Sequence, residues 1–74
     1  MSAFLRLEPR DNVLVARRAV APGEEGAAEA IPAGHKMAAE AIPAGAPLRK
    51  FAQVIGYAKA DIAPGQHVHT QNLE

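Results

Sequence analysis

The stretch "AIPAGHKMAAEAIPAGAPL", from Ala30 to Leu48, contains the segment AIPAG twice, 11 residues apart. Related segments lie on either side, "AVAPG" ending at Gly23 and "DIAPG" ending at Gly65. In each copy a β-branched residue leads into a proline–alanine pair and then a glycine. Proline presets φ at about −65° at one corner of a turn, and glycine accepts φ > 0 at a later corner. The repeats therefore predict four tight turns.

Short segments rich in apolar residues lie between these turns and predict strands. They are "AFLRL" (Ala3–Leu7), "VLVA" after Asp11-Asn12, "HKMAAE", "PLRKF" and "QVIGYAKA". Strands this short, separated by frequent turns, are typical of an all-β barrel or folded sheet. Alanine-rich runs favour helix, but prolines at positions 32 and 43 interrupt them. We therefore expect an all-β fold with no helix longer than about two turns.

The turn glycines at positions 34 and 65 are predicted to have φ > 0, or to lie too close to other backbone for a Cβ. The chain has 74 residues, which we interpret as one domain over residues 1–74. A chain of this length buries only about 60% of its unfolded surface, so its core is marginal. Alanine, which is abundant here, adds little buried area, and we expect the domain to dock on something larger.

Composition excludes several classes of function. The chain has no cysteine, so it forms no disulfide and offers no thiolate. Eight basic residues balance eight acidic ones, and only three residues are aromatic, so a nucleic-acid surface is not expected. A segment that spans a membrane needs about 18 consecutive apolar residues, and this sequence contains no such run. The charged N-terminus does not resemble a signal peptide, and a cytoplasmic location is expected.

Two of the three histidines, His67 and His69, follow the last turn with one valine between them. Because side chains alternate along a strand, both imidazoles are expected on one face, and Gln71 would continue that face. Neutral imidazole binds metals, but two ligands are fewer than the three of a catalytic zinc-type site. Three interpretations stay open: a self-contained metal site, a polar strand end without a role, and a site shared with a partner.

A second polar pair, His35-Lys36, directly follows the turn at Gly34. Lysine suits a carboxylate and histidine can move a proton near neutral pH. The alternative is a solvated turn before an edge strand, where lysine also deters aggregation. Asp61 precedes the last turn and is expected to cap it through backbone N–H groups. We expect His35 to face the same cleft as His67 and His69.

The motifs "DNVLVA", "IPAGHKMA" and "GAPLRKFAQVIGYAKADIAPGQHVHTQNL" together resemble a known family. The match runs in register from about Asp11 to Leu73 with the SAF-type N-terminal domain of altronate and galactarate dehydratases. The family pattern ends in "HVH-x-HN", and this chain has Gln71 at the position of the last histidine. It also has Phe51-Ala52 where a tyrosine–glycine pair is typical of the family.

The resemblance implies a small β-clip (SAF-like) domain of short strands and folded hairpins. It further implies a small subunit or N-terminal module of a sugar-acid dehydratase, inactive alone, beside a large subunit or domain. That partner would hold a divalent metal, usually iron, and no metal is expected on the isolated chain. His35, His67 and His69 are the candidate catalytic residues and Lys36 is the candidate for binding the sugar acid. The resemblance favours a functional role for His35-Lys36, because "GHK" stands at its matching place in the family.

Two alternatives to this function stay open. SAF-like domains also occur as non-catalytic ligand-binding or interaction modules, and a fold does not fix a function. The small subunit of a sulfolactate sulfo-lyase is a relative that differs in substrate. The identity of the sugar acid and the formation of a homo-oligomer are also undecided by the sequence.

Overall fold

The computed structural model describes residues 2–74, which form six short strands. They are β1 (Phe4–Leu5), β2 (Val13–Ala16), β3 (Lys36–Ala38), β4 (Pro47–Lys50), β5 (Gln53–Tyr57) and β6 (His67–Val68). The only helix among residues 2–74 is one 3-10 turn at Glu24–Gly26. The all-β fold and the limit on helix length are confirmed. Strands β1 and β5 are shorter than their alternating segments, and Ala58, just beyond β5, pairs with Leu73 only as an isolated bridge.

Four strands form one antiparallel sheet in the order β1-β2-β3-β6, and β4 and β5 form a separate hairpin. Leu14 of β2 lies opposite Met37 of β3, and Met37 lies opposite His67 of β6. Directly opposed residues project from the same face of a sheet. Leu14, Met37 and His67 therefore share one face, and Lys36, which neighbours Met37, projects from the other.

The four repeated segments fold as the predicted turns. In each, the residue after the glycine donates its N–H to the carbonyl three positions earlier, as His35 does to Pro32 at 3.0 Å and Gln66 to Ala63 at 3.1 Å. The glycine φ angles are 85°, 80°, 83° and 87° at Gly23, Gly34, Gly45 and Gly65. The prediction for Gly34 and Gly65 is confirmed, since both lie in the left-handed region.

The turns pair two by two, which explains the repeat. Val20 and Ile31 form one antiparallel bridge, and Ile42 and Ile62 form another. Each bridge belongs to one of two apolar clusters. The first contains Ala3, Phe4, Ala16, Val20, Ala27, Ile31 and Met37, and the second contains Val13, Ala38, Ile42, Leu48, Ala58, Ile62 and Val68. The β-branched residue of each repeat is thus a core residue. The turns that follow lie at the surface, except that Gly65 of the last turn is buried.

The β4–β5 hairpin is tied to the main sheet by two buried polar residues just before β2. The Asp11 carboxylate accepts N–H groups from Ala52 at 2.7 Å and Phe51 at 3.0 Å. The Asn12 amide donates to the Pro47 carbonyl at 2.9 Å and accepts from the Arg49 N–H at 2.7 Å. The β4–β5 hairpin forms no ladder of backbone hydrogen bonds with β2. The side chains of Asp11 and Asn12 connect the two instead.

The outer surface of the hairpin carries most of the large apolar side chains that stay exposed. Phe51, Val54, Ile55 and Tyr57 are each between 37% and 63% accessible to solvent. Apolar side chains gathered on one element are typical of a contact surface. Among residues 2–74, no helix is long and apolar enough to cross a membrane.

Candidate functional site

Three imidazoles converge at the end of the β3–β6 ladder. His35 follows the turn at Gly34 and leads into β3, His67 begins β6, and His69 follows its end. Lys36 pairs with Val68 and Met37 with His67, so the same register sets His35 opposite His69. Antiparallel pairing and strand alternation therefore place the three rings on one face. We call this set the histidine triad.

The rings of the histidine triad are packed against one another. Their centroids are 4.5 Å apart for His35 and His69, 5.0 Å for His35 and His67, and 5.6 Å for His67 and His69. His35 Nδ1 and His67 Nε2 lie 2.8 Å apart and share a hydrogen bond whose donor depends on the tautomer. His35 and His67 are half-buried and His69 is exposed. The triad thus has one side against protein and one side open to solvent.

The electrostatic environment favours the neutral form of His67. Burial lowers the pKa of His67, and the neighbouring His35 adds to the effect by disfavouring a second positive charge. His69 and Lys36 act in the same direction, while the Glu29 carboxylate opposes them. A neutral imidazole has a free lone pair, so it can accept a proton or bind a metal ion.

The end of β6 is held by polar side chains that the sequence analysis does not assign. The Asn72 amide donates to the His67 carbonyl at 2.8 Å and accepts the His69 N–H at 3.0 Å. Glu29 accepts the His67 N–H at 3.0 Å. These bonds fix the backbone that carries two of the three rings. Asn72 belongs to the closing "NL" of the family pattern, which is the one signal that could have identified it.

Gln71 departs from its predicted position. The expectation that it continues the face of His67 and His69 is wrong, because β6 ends at Val68 and the chain turns. The Gln71 amide instead donates to the His67 carbonyl at 3.0 Å. Gln71 therefore supports the backbone of the strand end.

Two further predicted residues lie apart from the histidine triad. Strand alternation directs Lys36 to the face that it shares with Val15 and Val68, opposite the three imidazoles. Asp61 does accept a backbone N–H, but the donor is Ala44 at 2.8 Å. Ala44 lies in the turn at Gly45, which is paired with the turn at Gly65 that follows Asp61. The carboxylate of one repeat thus caps the turn of another, which follows from the bridge between Ile42 and Ile62.

The arrangement of the histidine triad is compatible with two kinds of chemistry. Three imidazoles that differ in exposure can accept, hold and return protons near neutral pH. The three groups also offer one ligand nitrogen each, and these atoms all lie within 4.8 Å of one another. Both interpretations need the face to remain accessible, as the exposed His69 ring indicates.

Comparison with known proteins identifies the family. A search of the curated proteins finds no match to this chain. The family model described as altronate/galactarate dehydratase SAF domain matches residues 2–74. The matched range includes all four turns, both apolar clusters and the histidine triad. The chain therefore belongs to the altronate/galactarate dehydratase SAF domain family.

Proposed function

We propose that this chain is the SAF module of a sugar-acid dehydratase and acts together with a large catalytic subunit or domain. The observation that carries the proposal is the convergence of His35, His67 and His69 on one open face of a domain from this family. A marginal core and an exposed apolar hairpin support attachment to a larger partner. The histidine triad would then face the substrate at the boundary between the two parts.

The proposed reaction removes the proton α to a carboxylate and expels the β-hydroxyl as water. One base must accept the α-proton, and one acid must protonate the leaving oxygen. A neutral imidazole can serve as the base and an imidazolium as the acid, and such proton transfer contributes about 10²–10⁴-fold to a rate. The divalent metal proposed for the large part would assist as a Lewis acid on the leaving hydroxyl.

Lys36 is the proposed partner of the substrate carboxylate. Its ammonium group is a point charge suited to an anion. Lys36 lies on the sheet face opposite the histidine triad. A substrate that contacts both Lys36 and the imidazoles would therefore have to bind at the end of the β3–β6 pair, where the two faces come together. The separation allows the two roles to be tested by different variants.

The test is a reconstituted complex of this chain with a large dehydratase chain, assayed on altronate and galactarate. In the variant His67→Ala, His69→Ala we expect kcat to fall about 100-fold while the complex still forms. Thr70→Ala, at an exposed residue in the turn that follows β6, is the matched control and should leave kcat unchanged. Lys36→Met should raise KM more than it lowers kcat, because it removes binding and not proton transfer.

A wild-type rate in the double variant, with the complex assembled, would contradict the catalytic role and favour a non-catalytic binding module. Loss of assembly would place the two histidines in the interface. An assay for sulfite release from sulfolactate separates the sulfo-lyase relative from the dehydratases. Each readout uses the same purified complex.

A further inference from the structure

We propose that His35, His67 and His69 form a binding site for a divalent transition-metal ion on this chain itself. This site would be separate from the metal assigned above to the large catalytic part. The proposal goes beyond the proposed function and does not depend on it, because the three ligands all come from residues of this domain. A nitrogen that binds the ion cannot also accept a proton, so the metal site and the acid–base role apply to the metal-bound and the metal-free chain respectively.

The spacing of the ligand atoms fits one ion. Nitrogen ligands about 2.1 Å from a tetrahedral metal stand roughly 3.4 Å from one another. In the histidine triad, His35 Nδ1 and His67 Nε2 are 2.8 Å apart and all three ligand atoms lie within 4.8 Å. The observed spacing brackets the required one. The His67 and His69 rings are stacked with 8° between their planes, so closing the site requires the rings to rotate about their side-chain bonds until their lone pairs converge.

The backbone beneath the triad is held on both sides. Strands β3 and β6 pair antiparallel, and Ala38 donates to the Gln66 carbonyl at 2.9 Å while Gly65 donates to the Ala38 carbonyl at 2.9 Å. Asn72 holds the other end of β6 through the carbonyl of one ligand residue and the N–H of another. A site on paired strands loses less conformational freedom on binding than a site on a mobile loop.

The rings have free nitrogen atoms for a metal. Among residues 2–74, the three rings make one protein hydrogen bond, between His35 and His67. The proton in that bond belongs to one neutral ring and can move to the other nitrogen of the same ring. Both facing nitrogens then present lone pairs, with no net proton released.

The donor set selects the class of metal. Three imidazole nitrogens without a carboxylate or thiolate suit zinc, cobalt, nickel and copper, whereas magnesium and calcium prefer oxygen ligands. Three protein ligands leave the fourth coordination position of a tetrahedral metal free for water or substrate. Because His69 is exposed, this position would face solvent. The expectation of no metal on the isolated chain rested on two ligands, His67 and His69. The pairing of β3 with β6 brings His35 beside them as the third.

The test is calorimetric titration of the untagged 74-residue chain with Zn²⁺, and with Mg²⁺ as the oxygen-preferring control. We expect one Zn²⁺ per chain with a micromolar Kd, and no Mg²⁺ binding in the same range. His69→Ala removes one ligand and should weaken Zn²⁺ binding at least about tenfold. Because the His69 ring is exposed, the metal-free Tm of this variant should match the wild type. Thr70→Ala is the neighbouring control and should keep the wild-type Kd.

A second measurement uses Co²⁺, whose visible absorption bands are intense in a four-coordinate site and weak in a six-coordinate one. Intense bands that disappear in His69→Ala are expected. A Zn²⁺ affinity that is the same in the wild type and in His69→Ala would overturn the proposal, as would the absence of both calorimetric heat with Zn²⁺ and intense bands with Co²⁺. Neither readout involves dehydration, so the proposed function can hold where this inference does not.

Discussion

The turn at Gly65 and the turn at Phe51-Ala52 both take the backbone into the left-handed region, but they are stabilised differently. Gly65 has φ of 87°, which costs glycine nothing because it lacks a Cβ. Phe51 and Ala52 have φ of 56° and 59°, where an L-residue is strained by roughly 1–2 kcal/mol. The hairpin between Lys50 and Gln53 therefore needs support from outside the turn.

That support comes from the Asp11 carboxylate, which accepts the N–H groups of both strained residues. The carboxylate accepts a further N–H at Oδ2, from Glu8 at 3.1 Å. One kind of turn is thus determined by its own residue type, and the other by a residue about 40 positions away. The comparison predicts that the two turns respond to different substitutions.

The largest effect is expected from Asp11→Ala. The substitution leaves three backbone N–H groups without their acceptor, two of them in strained residues. We expect Tm to fall by about 15 °C or more, measured by circular dichroism at pH 7. A loss of Tm under about 3 °C would mean that the turn at Phe51-Ala52 is stable without the Asp11 carboxylate.

The same variant should show how the stability depends on pH. Burial raises the pKa of Asp11, but the N–H donors from Ala52, Phe51 and Glu8 together outweigh it, so the folded-state pKa is lowered. A lowered pKa stabilises the fold above the unfolded value of about 3.9, and this contribution is lost as the pH falls through the folded pKa. The Tm difference between wild type and Asp11→Ala should therefore shrink as the pH falls below the unfolded value and through the lower folded-state pKa.

A smaller and graded effect is expected at two turn glycines. At Gly65 a Cβ would lie 2.3 Å from the Gly26 carbonyl oxygen, whereas at Gly34 it would meet nothing within 4 Å. Both alanine variants suffer the φ > 0 penalty, and only Gly65→Ala adds a backbone clash. We expect Tm losses of about 10 °C for Gly65→Ala and about 5 °C for Gly34→Ala. Equal losses would show that the neighbouring backbone moves away at no cost.

The smallest effect, and the one of opposite sign, is expected from Ala52→Gly. Glycine removes the left-handed strain but gives the unfolded chain more freedom, so the gain in Tm should be at most about 3 °C. In the Asp11→Ala background the same substitution should recover more, because the strain is then unsupported. Additive effects in this double-mutant cycle would contradict the coupling between the carboxylate and the turn.

Much of the fold could be predicted from the sequence because it depends on local signals. The proline–glycine repeats predicted the turns at Gly34 and Gly65, and the absence of long helices followed from the interrupting prolines. The partner of each turn could not be predicted, since the Val20–Ile31 and Ile42–Ile62 bridges depend on the tertiary arrangement. Asp11 gave no signal either, because its acceptor role depends on a hairpin distant in sequence.

The candidate site shows the same division. Alternation along one strand predicted that His67 and His69 share a face, and His35 was expected at the same cleft because it directly follows the turn at Gly34. The register that sets His35 opposite His69 needed the β3–β6 pairing. Gln71 was misplaced because alternation was extended past the end of β6. Asn72 and Glu29 act through backbone contacts, which residue types do not indicate.

The two bridges also differ in how soon they can form during folding. Val20 and Ile31 are 11 residues apart and Ile42 and Ile62 are 20 apart. Closing the longer loop costs about 0.5 kcal/mol more chain entropy, so the first apolar cluster should assemble ahead of the second. His35 and His67 are 32 positions apart, and β6 follows the second bridge. We therefore expect the imidazoles to meet after the rate-limiting step of folding. Substitutions there should then alter the unfolding rate more than the folding rate, which a chevron plot measures.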